Sequence, residues 1–273
     1  GGVREILATE MLEASGVPTS KTLSLIETGE QLTRNDEPSP TRSSVMVRLQ
    51  HSHIRFGAFQ RLAYLEEGEN MEALLRHVRE VYHPDIPDGP VAELAPALLA
   101  RISERTANMV ASWMAAGFVH GVMNTDNMNV TGETFDFGPY RFIPTSDPGF
   151  TAAYFDEYGL YAFGRQPQAA IWNLQQLGGA LTMLADADDL TEGLKAFEPA
   201  YQNALRDHCF FQFGVASTDL SEDLNFLQSL FTWMTETGAP WHQVYFDWFG
   251  GEASAERAFK SPIAELYSQS AFT

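Results

Sequence analysis

Apolar residues Val3, Ile6, Leu7, Met11 and Leu12 recur at helical spacing, and Gly16 with Pro18 just beyond it ends that helix. Two strand-like runs follow. The first covers 22–26; in the second Val45, Val47 and Leu49 alternate, which puts Met46 and Arg48 on the opposite face. Residues 30–44 between them are polar and hold Pro38 and Pro40, which predicts an exposed loop. After Phe59 the pattern turns helical. Asn70 reads as the cap of a helix over 71–82, and Pro84 and Pro87 break it. A long helix is expected over about 92–116, with Leu98, Ile102, Met109 and Trp113 on its apolar positions and Gly117 at its end. Residues 118–151 differ: they are rich in Asn, Thr and Gly, with β-like pieces at 128–130 and 134–135. Further helices are expected at about 168–184, 190–208, 222–236 and 255–270. The fold class is therefore α+β. One polar, irregular segment interrupts a mainly helical body, and functional groups gather on such segments when a rigid scaffold holds them.

Charge narrows the partners. The 273 residues carry 17 Lys+Arg against 36 Asp+Glu, a formal charge of −19. No stretch is basic, which argues against a nucleic-acid backbone or an anionic membrane as partner. A small anion such as ATP is compatible, because a metal ion and a few arginines outweigh the global charge locally. The single cysteine, Cys209, cannot form an internal disulfide. With no long apolar run and no signal pattern, the chain reads as soluble and cytoplasmic. Gly1-Gly2 leads directly into a helical pattern, from which we expect upstream sequence to be missing.

The chemistry concentrates in the irregular segment. It reads His120-Gly121-Val122-Met123-Asn124-Thr125-Asp126-Asn127, and Asp136-Phe137-Gly138 begins nine residues after Asn127. Kinase-type sites use H-R-D-x-x-x-x-N followed by D-F-G, in which the Asn and the second Asp chelate magnesium on the triphosphate. His120, Asn127 and Asp136 fall in that register. Val122 stands where the catalytic Asp is expected, and valine cannot accept a proton. Asp126 is the nearest carboxylate that could replace it, as base or as metal-orienting group. Mg2+ takes few protein oxygens alongside phosphates, so Asn127 and Asp136 suffice as its protein ligands. Each piece alone has a plainer reading: D-F-G is a common tripeptide, and Asp in a turn before Gly often only caps a hydrogen bond.

Further motifs point the same way. Arg4-Glu5 precedes Gly16-Val17-Pro18-Thr19; Arg48 precedes Ser52-His53-Ile54-Arg55-Phe56-Gly57; Tyr161-Ala162-Phe163, Gln166-Pro167 and Trp172-Asn173-Leu174 follow the central segment. Together with 120–136, these resemble the SelO (YdiU) family of protein adenylyltransferases over about residues 3–185. The resemblance implies a protein-kinase-like fold: residues 1–58 as a partial N-lobe of one helix and a few strands, and 59–273 as a mainly helical C-lobe bearing the catalytic and metal loop 118–151. It implies Mg2+-dependent transfer of AMP from ATP to Ser, Thr or Tyr hydroxyls of proteins, with Mn2+ an alternative metal. Asp126 would be the proton acceptor, Asn127 and Asp136 the metal ligands, Arg48 and Arg55 the phosphate contacts, and Glu5 the partner of a phosphate-binding lysine upstream. Guanidinium forks suit phosphate oxygens, which agrees. The family's Gly-rich loop and lysine would lie upstream of Glu5, where we expect sequence to be missing, which keeps a nucleotide-binding pseudokinase scaffold as an alternative; a phosphotransferase of the same fold is another, against which Val122 argues.

Other features carry plainer readings. His51 and His53 could share a metal, but no third ligand follows at a recognisable spacing. Without the resemblance, Glu5, Arg48 and Arg55 would pass for ordinary surface charges. Trp233, Trp241 and Trp248, with Phe231, Tyr245, Phe246 and Phe249, suggest core packing or a protein interface. Cys209 beside Phe210-Phe211 suggests a buried small hydrophobe. No G-x-S-x-G occurs, so a hydrolase elbow has no support.

Overall fold

The computed structural model describes residues 1–33 and 39–269. Helix α1 (Gly2–Ala14) leads into an antiparallel hairpin of β1 (Lys21–Leu32) and β2 (Thr41–Leu49). Helices α2 (Phe56–Tyr64), α3 (Gly68–Tyr82) and α4 (Val91–Ala115) follow. The irregular segment contains a short pair, β3 (Phe118–Val119) with β4 (Arg141–Phe142), and a 3-10 turn at Thr125–Asn127. Then come α5 (Gln166–Leu181), α6 (Ala187–Leu194), α7 (Phe197–Phe213), α8 (Leu220–Thr237), α9 (Trp241–Asp247), α10 (Ala255–Ala258) and α11 (Ala264–Tyr267). The architecture is α+β, helical in the main, with two small antiparallel sheets.

The spine is α4. Leu98, Leu99, Ile102, Met109, Val110 and Trp113 are all fully buried on it. It ends at Gly117, whose φ of +64° needs a residue without Cβ; an added Cβ there would also lie 2.7 Å from the Trp241 ring. One core gathers α2, α3, α5 and α6 around α4 and takes in Phe118 and Phe137 of the irregular segment. A second core, on α7, α8 and α9, holds Trp233, Trp241 and Tyr245.

Several elements differ from expectation for identifiable reasons. In α1 the buried residues are Ala8, Thr9 and Leu12, while Val3, Leu7 and Met11 lie exposed, so of its apolar stripe only Leu12 is fully buried in the core and Ile6 partly so. The alternation in β2 is as expected, but the covered face is the one with Met46 and Arg48. The strands run further into 30–44 than a loop would; the centre of that stretch, 34–38, lies outside the described residues, as does position 270 of the last expected helix. Asn70 does not cap a helix: α3 begins at Gly68, and the Asn70 amide donates to the Glu67 carboxylate at 2.8 Å. The expected helix at 190–208 is two helices, divided between Leu194 and Phe197. The expected helix at 255–270 is likewise two short turns separated by Ser261-Pro262, where proline cannot donate its missing N–H. The β-like pieces at 128–130 and 134–135 are not strands. They make isolated bridges instead, Arg55 with Asn129 and Thr19 with Thr134.

Candidate active site

Residues 120–127 form a loop held from beneath by neutral hydrogen bonds. The buried Gln166 side chain accepts from the His120 N–H at 3.0 Å and donates to the Phe118 carbonyl at 2.9 Å. Asn173, also buried, donates to the Met123 carbonyl at 2.7 Å. His120 itself bonds the Phe135 carbonyl through Nε2 at 3.1 Å, and burial pushes its pKa down, which keeps the ring neutral near pH 7. On the outer side, the Thr125 hydroxyl donates to Gln60 at 2.6 Å and the Tyr161 hydroxyl donates to Asn124 at 2.7 Å.

At the rim, the Asn127 amide donates to the Val122 carbonyl at 2.7 Å. Position 122 therefore contributes its main chain rather than a carboxylate. The bond also orients Asn127 and leaves its amide oxygen as the free acceptor. Asp126 is exposed, and its carboxylate packs on Gly57 in the first turn of α2. A Cβ at Gly57 would lie 2.2 Å from the Asp126 Oδ1, so only glycine admits the carboxylate in this position. A carboxylate at a helix N-terminus also faces the favourable end of the helix dipole.

The remaining charged residues meet at Asp136. Arg48 from β2 donates to one carboxylate oxygen at 3.1 Å, and Arg55 reaches the other at 2.9 Å. Both guanidinium groups lie over the Phe135 ring, at 5.6 and 4.9 Å from its centroid. Arg48 also approaches Glu5 at 3.7 Å. Burial raises the Glu5 pKa; the Arg48 charge and the main chain at Phe137 and Gly138 oppose that rise. Asp136 has φ +54°, a left-handed conformation that Asp tolerates better than most residues and that is held here by its surroundings. Arg4 braces this region from α1: its guanidinium donates to the Tyr140 carbonyl at 2.9 Å and lies 4.5 Å over the Tyr140 ring.

One strap joins the two groups. Asn129 donates to the Ser52 carbonyl at 3.1 Å, Val130 N–H to the Ile54 carbonyl at 3.1 Å, and Phe56 N–H to the Met128 carbonyl at 2.9 Å. Three consecutive residues thus span the site: Arg55 reaches Asp136, Phe56 is buried, and Gly57 carries Asp126. All the expected site residues fall on this surface, with Glu5, Arg48, Arg55 and Asp136 in one chain of ion pairs and Asp126 and Asn127 on the adjoining turn.

The oxygen donors suit a hard cation. Asn127 offers an amide oxygen, and each Asp136 oxygen accepts only one guanidinium, which leaves lone pairs on both. Among the described residues there is no cluster of three or more His, Cys, Asp and Glu placed to hold a metal. His51 and His53 do not converge: His51 pairs with Glu133 at 2.6 Å, and His53 lies edge-on to Phe135 at 6.4 Å. Cys209 is buried, which pushes its thiol up to about 12 and leaves it unreactive.

Comparison with known proteins gives the family. Residues 1–263 match the profile of the family described as protein adenylyltransferase SelO. The chain belongs to the SelO family. It is 49% identical over 219 residues to the protein nucleotidyltransferase YdiU of Synechocystis sp., covering 80% of this chain and 46% of that protein. It is 44% identical over 253 residues to its counterpart in Trichodesmium erythraeum, covering 90% of this chain and 53% of the relative. This SelO-family chain thus spans about half the length of these relatives. No helix among its described residues is long and apolar enough to cross a membrane.

Of the residues that hold the loop from outside, the sequence motifs contained Asn124 and Tyr161 without their pairing and missed Gln60 altogether. Gln60 lies in no motif, and the Asn124–Tyr161 pair joins positions 37 residues apart. The W-N-L and Q-P motifs did contain Asn173 and Gln166, whose burial gives them their supporting role.

Proposed function

We propose that the protein transfers AMP from ATP to Ser, Thr or Tyr hydroxyls of other proteins, within a kinase-like arrangement in which 1–58 and 59–273 correspond to the two lobes. The observation that carries this reading is the convergence of Arg48 and Arg55 on Asp136 beside a turn that displays Asp126 and the free Asn127 oxygen. The two guanidinium groups bind phosphate oxygens when nucleotide enters. The acceptor oxygen bonds to the α-phosphorus, the bond to the β-phosphate oxygen breaks, and pyrophosphate leaves. Asp126 accepts the hydroxyl proton. Asn127 and Asp136 would hold Mg2+, or Mn2+ in its place, which would supply neutralisation of phosphate charge. Positioning and charge neutralisation dominate transfer at phosphorus, which is what this set of residues supplies. Val122 disfavours the phosphotransferase alternative, since it brings no carboxylate of its own.

The test uses ATP labelled at either the α- or the γ-phosphate, with Mg2+ and candidate acceptor proteins. Protein labelling from α alone is expected, with loss in Asp136→Ala, which also abolishes Mg2+-dependent ATP binding by calorimetry. Labelling from γ alone would establish a phosphotransferase. ATP binding without transfer of either label would establish a nucleotide-binding scaffold.

A further inference from the structure

A second cavity, of about 360 Å³, lies between the end of α3, the middle of α4 and the turn at 131–133. Its size falls at the small end of ligand pockets. Arg105 and Asn108 line it from α4, three residues apart and therefore on one helix face. Glu133 lines it from the turn, with His51 beside it, and Pro18, Val81 and Tyr82 supply apolar and aromatic wall. Besides two histidines, Arg105 and Glu133 are its charged residues.

The unused hydrogen-bonding groups say what the cavity takes. Among the described residues Arg105 has no acidic partner, although the chain carries 36 Asp+Glu against 17 Lys+Arg. Asn108 spends its amide oxygen on His208 Nε2, which donates to it at 3.1 Å, so the amide N–H groups stay free. Together these donors suit a carboxylate, whose two oxygens match a guanidinium fork. Glu133 is the counterpart. Its side chain is only 11% exposed, and it accepts from the His51 N–H at 3.2 Å, from His51 Nδ1 at 2.6 Å and from the Thr131 hydroxyl at 2.9 Å. A carboxylate has about four acceptor positions, so one stays open to a further donor. One cation and one buried anion in so small a space disfavour a polyanion, which Glu133 repels, and a simple cation, which Arg105 repels. A zwitterion satisfies both. Val81, 52% exposed, and Tyr82 give its hydrocarbon part a surface. We propose that this cavity binds a free α-amino acid with an apolar side chain. The carboxylate lies on Arg105 and Asn108, the ammonium on Glu133, and the side chain on Val81 and Tyr82.

The cavity is continuous with the strap that carries Arg55 and Gly57. The Glu133 N–H donates to Asn129 Oδ1 at 3.1 Å, and His83, which also lines the cavity, donates through Nε2 to the Val130 carbonyl at 3.1 Å. An amino acid bonded to Glu133 therefore adds a tie to that strap. The proposal does not rest on AMP transfer, and its test needs none.

The test is isothermal calorimetry on the 273-residue chain. The probes are L-leucine, glycine, 4-methylpentanoate (leucine without its ammonium) and 3-methylbutylamine (leucine without its carboxylate). Leucine should bind saturably and about tenfold tighter than each of the others. Arg105→Gln, at an exposed position with no partner to lose, should weaken leucine and 4-methylpentanoate about tenfold and leave 3-methylbutylamine unchanged. Amide hydrogen exchange at 129–133 should slow when leucine is added. Absence of saturable binding by leucine, valine or phenylalanine overturns the proposal. So does a leucine affinity unchanged in Arg105→Gln, slowed exchange confined to other segments, or inorganic phosphate binding as tightly as leucine.

Discussion

The two halves of the site are held in opposite ways. Around Asp136, charge satisfies charge: Glu5, Arg48, Arg55 and Asp136 are contributed by four separate segments and pair with one another. Around Asp126, the supports are neutral. Gln166, Asn173, Gln60 and Tyr161 fasten the loop by its main chain and flanking residues, and the Asp126 carboxylate stays exposed. The first half must exchange partners when an anionic ligand arrives, because its arginines already hold a carboxylate. The second half needs no exchange. Preorganisation is therefore stronger around the carboxylate proposed as proton acceptor than around the arginines proposed to grip phosphate.

Three changes break or sharpen that contrast. Gly57→Ala should have the largest effect. The new methyl displaces the Asp126 carboxylate, a short side chain able to rotate away, while alanine is at ease in the first turn of a helix. AMP transfer should fall about a hundredfold with little change in melting temperature or in ATP affinity, because a small misplacement of a reacting group is costly. Unaltered transfer would mean that Asp126 works from another position. Asn173→Ala should act on stability instead. It leaves the buried Met123 carbonyl without its donor and should cost about 1–3 kcal/mol in urea unfolding, with Arg48 and Arg55 unaffected.

The smallest effect concerns pH. Burial lowers the pKa of both His83 and His120, so the unfolded chain binds protons that the folded chain refuses. Stability is then full above the ordinary histidine pKa and is lost as pH falls below it toward the depressed values. Each ring contributes a slope of at most about 1.4 kcal/mol per pH unit. Urea unfolding between neutral and mildly acidic pH should show this loss, and His120→Gln should reduce the slope. A slope unchanged in that variant would place the protons elsewhere.

Much of this was legible in the sequence because the signals were local. The long helix and its stop at Gly117 depend on periodicity and turn chemistry within short windows, and so does the spacing from His120 through Asn127 to Asp136 on one irregular segment. The face of β2 was not legible. Alternation gives a period of two but does not say which set is covered, and here the covered set carries Arg48. The strap at 52–57 was equally hidden, since isolated bridges such as Arg55–Asn129 leave no repeating pattern. The β-like composition at 128–130 corresponds to a single bridging residue, Asn129, and gave no hint of its partner Arg55. The division between α6 and α7 was signalled by Gly193 in the last turn of α6 and Pro199 in the first turn of α7, which helical periodicity across 190–208 overrode.

The strap has a mechanical consequence. Arg55 and Gly57 are two peptide units apart, and stiff units set the span between the proposed anion grip and the proposed proton acceptor as a ruler would. No hinge can operate between them without unzipping the bonds from 128–130 to 52–56. Opening and closing motions of the molecule must therefore carry both as one rigid body. The freedom lies with Arg48 and Glu5, whose side chains come from β2 and α1 and meet that body through ion pairs.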